Sequence, residues 1–131
     1  SLVTQFLFES GPFLDWAATL RHASIKAQLI CGLAGPASLA TLLKFAARCG
    51  VGQSIRALGS QGAKFRSLLG VQGPEGMLGE LAASQAAGNA PFDGMHLFAL
   101  GGFRRTVEWL SRVAEGRIRI TDAGSFELGA P

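Results

Sequence analysis

The stretch LVTQFLF, residues 2 to 8, sets a hydroxyl and an amide, Thr4 and Gln5, side by side in an otherwise apolar, β-prone run. A buried polar side chain without a hydrogen bond costs roughly 1–3 kcal/mol, so the pair needs partners, from the protein or from a ligand. Strand alternation groups Gln5 with Val3 and Leu7 on one face and Thr4 with Phe6 and Phe8 on the other. One of the two polar groups can therefore look into a site. A second candidate is Phe45. At 100° per residue, Leu39, Leu42, Leu43 and Ala46 define the apolar stripe of its helix, and Phe45 points roughly 130° from the centre of that stripe, beside Ser38 and Thr41. It either packs under a following segment or offers a stacking surface to a flat ligand. Gly101 and Gly102, ahead of Arg104 and Arg105, form either a tight strand-to-helix turn or an anion site made of backbone N–H groups at a helix start.

The other reactive side chains read as structural. His96 alternates with Phe98 and Leu100 and is expected to be a hydrogen-bonded core histidine, while His22 belongs to a helix surface and Glu9 to a surface turn. Cys31 and Cys49 have neither CxxC spacing nor a neighbouring histidine, so they predict free buried thiols, as suits a reducing cytoplasm, and no metal site. Arg56, Lys64 and Arg66 are scattered cations of the solvated kind. No side chain stands out as a general acid.

These candidates hang on three strand-to-helix units. LVTQFLF leads through Glu9 to Pro12 into a helix near Phe13, whose Phe13, Trp16, Ala17 and Leu20 keep helical spacing. IKAQLICGL, residues 25 to 33, ends in a glycine-rich turn before the helix PASLATLLKFAARCG, residues 36 to 50. GMHLFAL, residues 94 to 100, precedes FRRTVEWLSRVAEG, where Phe103, Val107, Leu110 and Ala114 share a face. Residues 51 to 91 contain no evident strand and read as an elaborated helical connection built on AKFRSLL and PEGMLGELAASQAA. After Gly116 a short alternation, Arg117 to Ile120, predicts an edge element.

Composition narrows the classes. The 131 residues are 48% hydrophobic and carry a net charge of +3, enough apolar material for one core and too little clustered charge to favour nucleic acid. No apolar run approaches the ~20 residues that span a bilayer. The first residue is Ser1 and no secretory leader precedes it, which suggests a trimmed or partial chain.

Strand, short turn and helix repeated three times predict a parallel α/β architecture, either doubly wound or a portion of a (β/α)8 barrel. A whole barrel takes about 250 residues, and an isolated three-stranded parallel sheet leaves its edges open. The expectation is therefore the last three βα units of a TIM barrel over residues 1 to 116, with residues 117 to 131 as a tail. A further segment, or a homo-oligomer, would cover the edges. In either architecture ligand chemistry belongs to the carboxyl ends of the strands.

VTQFLF, ICGLAGPASLATLLKFAARCGVG and MHLFAL, in that order and spacing, resemble the last three strands of the methylenetetrahydrofolate reductases, flavin-dependent barrel enzymes of one-carbon metabolism. The resemblance covers most of the chain, loosely over residues 51 to 91 and the tail. It implies that Gln5 hydrogen-bonds the pterin of a folate, that Phe45 stacks on it, and that Leu100 lines the same pocket. Thr41 stands where the family has a glutamine, and Gly101 and Gly102 stand where some members have Asn-Arg, so the folate tail would be held differently, with Arg104 or Arg105 as candidates. The family's general-acid glutamate and most FAD contacts lie in five earlier strands that these residues do not include.

The activity implied for a chain carrying those strands is FAD-mediated hydride transfer between NAD(P)H and methylenetetrahydrofolate, with this portion alone inactive. The substrate is a small folate, and neither nucleic acid nor a membrane is expected as a partner. Two other readings are a phosphate-ligand α/β domain, resting on the glycine-rich turns, and a non-catalytic interaction module. In-frame upstream barrel strands with an early glutamate would separate the first reading from both.

Overall fold

In chain order the elements are β1 (Leu2–Leu7), α1 (Ser10–His22), β2 (Leu29–Ala34), β3 (Ala37–Ser38), α2 (Leu39–Arg48), β4 (Val71–Gln72), α3 (Glu75–Ala86), β5 (Gly94–Phe98), α4 (Phe103–Ala114), β6 (Ile118–Ile120) and β7 (Phe126–Leu128). This is a computed structural model, and it describes residues 1–50, 71–89, 91–121 and 126–129. The helix expected over AKFRSLL lies outside the described residues, as do Arg56, Lys64 and Arg66.

β1, β2 and β5 form one parallel sheet in that order, so the chain is mixed α/β. Leu29, Cys31 and Leu33 alternate along β2 onto one face, where Phe13 and Ala17 of α1, Leu81 of α3 and Phe92 close the core. Among the described residues, α1 from the first crossover and α3 from the second therefore cover the same face. That follows when successive right-handed crossovers add strands in one direction across a sheet. The register puts Val3, Ile30, Phe6, Gly32, His96 and Phe98 on the opposite face. Phe6 and Phe98 meet there edge to face, 6.0 Å between ring centroids, and His96 meets Phe98 at 4.6 Å.

Several boundaries differ from the sequence expectation. β2 starts at Leu29, not Ile25: the Ile25 and Ala27 carbonyls accept from Arg21 Nη1, at 3.3 and 3.0 Å. α1 begins at Ser10, a turn earlier than Phe13. α2 begins at Leu39 and not Pro36, because Ala37 and Ser38 pair antiparallel with Val71 and Gln72, a short strand that the sequence did not reveal. Ser38 then caps the helix, its Oγ accepting from Thr41 N at 3.2 Å. α3 falls where PEGMLGELAASQAA predicts a helix. The tail folds back as an antiparallel β6–β7 ribbon, and Phe126 meets Trp109 at 6.3 Å.

The buried side of α4 is not the expected one. Thr106 and Trp109 are buried, whereas Phe103 is 78% exposed and Val107 and Leu110 are also exposed. Two contacts set this rotation. Trp109 Nε1 donates to Glu75 Oε1 of α3 at 2.7 Å, and Thr106 fills the space beside Gly35, where a Cβ would lie 2.9 Å from its hydroxyl.

At the amino ends of β2 and β5, one guanidinium ties three segments together. Arg21 Nη2 reaches Asp93 Oδ2 at 2.6 Å, its Nε donates to the Pro91 carbonyl at 3.2 Å, and Asp93 Oδ2 also accepts from Leu29 N at 2.8 Å. The Leu29 amide first, and Arg21 second, hold the Asp93 carboxyl below its ordinary value. A lowered carboxylate pKa contributes stability that is fully present above the unfolded value of about 3.9 and is lost as pH falls through the folded one. Thermal melts from pH 6 down to 2 should show the wild type losing midpoint more steeply below about pH 4 than Asp93→Asn; identical slopes would remove Asp93 from the account.

Candidate functional site

The polar pair that interrupts β1 occupies a bulge. Val3 pairs with Ile30 and Phe6 pairs with Gly32, so β1 spends one more residue than β2 over this interval. Alternation is thereby broken: Val3 and Phe6 share the face opposite the helices, and Leu7 joins the core face. The expected grouping of Gln5 with Val3 and Leu7 on one face is corrected accordingly, since the extra residue reverses the parity of everything after it.

A bulge displaces strand carbonyls and leaves amides that need acceptors. Thr4 Oγ1 accepts from Gly32 N at 2.8 Å, and Gln5 Oε1 accepts from Phe6 N at 3.1 Å. Gln5 is otherwise exposed. Gly32 admits the bulge: a Cβ there would stand 2.5 Å from the Thr4 carbonyl oxygen, 2.8 Å from that of Gln5 and 2.8 Å from the Phe98 ring. Sequence reasoning flagged the Thr4–Gln5 pair, gave the site role to Gln5, and missed Gly32. The adjacent polar pair was the available signal.

The remaining candidates sit on other elements. Phe45 is half-buried on α2, one turn after Thr41, whose hydroxyl lies 2.9 Å from Ser38 Oγ in the helix cap. Thr41 thus already has structural partners. Leu100 lies beyond the end of β5, half-buried in a turn where its N–H donates to the Phe98 carbonyl at 2.7 Å. Gln5, Phe45 and Leu100 therefore lie in or after three neighbouring parallel strands, but no hydrogen bond or ring contact among the described residues joins them. On its core stripe α2 behaves as predicted. Leu39, Leu42 and Leu43 line an apolar cavity of about 330 Å³ with Leu7, Leu33 and Met77, and Phe45 stands outside it.

Both glycines before α4 have backbone reasons. A Cβ on Gly101 would lie 2.0 Å from the Pro36 carbonyl oxygen, and Gly102 has φ +105°. Arg104 pairs with Glu108 at 2.8 Å in an exposed i,i+4 contact, and Arg105 is exposed and outside the ion pairs found among the described residues. His96 is exposed, not a core histidine: it lies on β5, an edge strand of the described sheet, on the face opposite the core cluster. His22 and Glu9 are on the surface, as expected. Of the cysteines, Cys31 is buried, which pushes its thiol up to about 11 and keeps it from acting as a thiolate at neutral pH, whereas Cys49 is exposed at the end of α2 rather than buried. Among the described residues no group of three histidine, cysteine or acidic side chains is placed to hold a metal ion, and no helix is long and apolar enough to cross a membrane.

No protein-family model matches the chain. The glycine constraint can be tested without reference to any family. Because backbone oxygens cannot retreat from a new Cβ, Gly32→Ala should cost about 1–3 kcal/mol in denaturant unfolding. Gly76→Ala, with open space at its Cβ on α3, should be neutral or slightly stabilising. Equal effects of the two substitutions would contradict the close approach at Gly32.

Proposed function

We propose that the chain is the folate-binding part of a methylenetetrahydrofolate reductase-like flavoprotein, contributing the last three βα units of a (β/α)8 barrel. One observation carries this reading: three parallel strands adjoin in sequence order with α1 and α3 of their connections on one face, and Gln5, Phe45 and Leu100 lie within these strands or in the segments that follow them. One βαβαβ half of a doubly wound sheet shares this arrangement, so the preference for a barrel comes from the resemblance in the sequence; in both architectures the site is built from the segments after the strands.

In this reading the chain's own residues bind and orient. Gln5 offers an amide that can donate to and accept from the edge of a pterin, Phe45 offers a ring face, and Leu100 an apolar wall. Arg105, which follows β5 and is outside the ion pairs found among the described residues, is a cation that can meet a carboxylate of the folate tail. Thr41, engaged by Ser38, is a secondary contact at most. Fixing a substrate in a reactive geometry can supply several kcal/mol of a barrier.

FAD, when bound, supplies the hydride chemistry, with NAD(P)H as its reductant. The described residues do not by themselves make a flavin site. The face opposite the helices is lined by Val3, Ile30, Phe6 and Phe98, with His96 as its titratable group, which lacks the donors and cations that a flavin ring edge and a pyrophosphate require. Residues beyond the described ones would have to hold the flavin.

Titration of the protein with 5-methyltetrahydrofolate tests the reading. Gln5→Ala should weaken binding roughly tenfold to a hundredfold, as for a lost polar contact of about 1–3 kcal/mol. Phe45→Ala should weaken it by about tenfold through lost stacking. Unchanged affinity in both variants, or no binding by the wild type, would end the folate reading.

A further inference from the structure

Thr4 and Gln5 are neighbours in sequence, and they do different work in the bulge. The Gln5 side chain bonds only its own strand, through the Phe6 amide at 3.1 Å. Thr4 is the residue that reaches across, its hydroxyl taking the Gly32 amide at 2.8 Å where the bulge has carried the strand carbonyls away. Those displaced carbonyls, of Thr4 and Gln5, lie against the bare Cα of Gly32. The extra residue is thus held at one point by a hydroxyl and at another by the absence of a side chain.

Where Gln5 sits depends on that hold. Without the Thr4 hydroxyl, the Gly32 amide is left without an acceptor, and the strand can regain one by slipping a residue into regular pairing. A slip by one residue transfers a side chain to the other face of a sheet. From this geometry we infer that Thr4 is a positioning residue for Gln5: its hydroxyl locks the β1 bulge and thereby fixes where the Gln5 amide is presented. This rests on the folate reading for the ligand that Gln5 meets, but the lock itself is a property of the two strands. Of this polar pair, the resemblance in the sequence gives a role to Gln5 and none to Thr4.

The test uses Thr4→Val, which keeps the branched shape and removes the hydroxyl, and Thr4→Ser, which keeps the hydroxyl. Amide hydrogen exchange in the full chain should speed up at both Gly32 and Phe6 in Thr4→Val and return toward wild type in Thr4→Ser. Affinity for 5-methyltetrahydrofolate should fall about tenfold in Thr4→Val, recover in Thr4→Ser, and fall no further in Thr4→Val/Gln5→Ala than in Gln5→Ala alone. Faster exchange confined to Gly32, or additive losses in the double variant, would overturn the inference. If the wild type binds no folate, that reading falls separately, and exchange at the Phe6 amide still decides whether Thr4 holds Gln5 in place.

Discussion

The close approach of β1 to the bare Cα of Gly32 is the constraint on which the rest depends. Two carbonyl oxygens and the Phe98 ring occupy the space where any other residue would carry a side chain. That crowding does three things together. It admits an extra residue into β1, it lets the three strands pack with an aromatic layer of Phe6 and Phe98 on one face, and it places the only adjacent polar pair of the strand beside the irregularity. A bulge in a sheet is a common device for re-aiming a side chain, and this one involves both residues of the pair.

The two ends of the sheet carry different burdens. At the amino ends of β2 and β5, Arg21 and Asp93 satisfy backbone groups of segments that would otherwise be loose. The bulge, the capped start of α2 and the Gly101–Gly102 turn lie further along the strands or beyond their carboxyl ends, and Gly101 packs directly on the Pro36 carbonyl. In barrels and open α/β sheets alike, this division separates stability from ligand chemistry. The exposed Phe103, Val107 and Leu110 of α4 add that this helix presents apolar surface outward, its inward side being set by Trp109 and Thr106.

The three strands, their helices and the apolar stripe of α2 were legible because periodicity reports burial directly. Leu39, Leu42 and Leu43 line a cavity just as their spacing requires. The rotation of α4 was not legible, because it is decided by one long-range hydrogen bond to Glu75 and by Gly35, far from Thr106 in the chain. The two-residue β3–β4 pairing is likewise too short to leave a pattern. For the site, the sequence marked Gln5 through its misfit in an apolar run, but alternation put it on the wrong footing, since no propensity announces an extra residue in a parallel pair. The roles of Thr4 and Gly32 become visible only when the register is known. Phe45 was separable from the core stripe by angle alone, and the structure keeps it outside the cavity that the stripe lines.

The central claim is that Gln5 and Phe45 meet the same flat, reduced pterin. Intermolecular NOEs between 5-methyltetrahydrofolate and the protein test it most directly. The account predicts cross-peaks from the folate to both the Phe45 ring and the Gln5 side-chain amide. Contacts confined to the leucines of the α2 cavity, or no contacts at saturating folate, would contradict it.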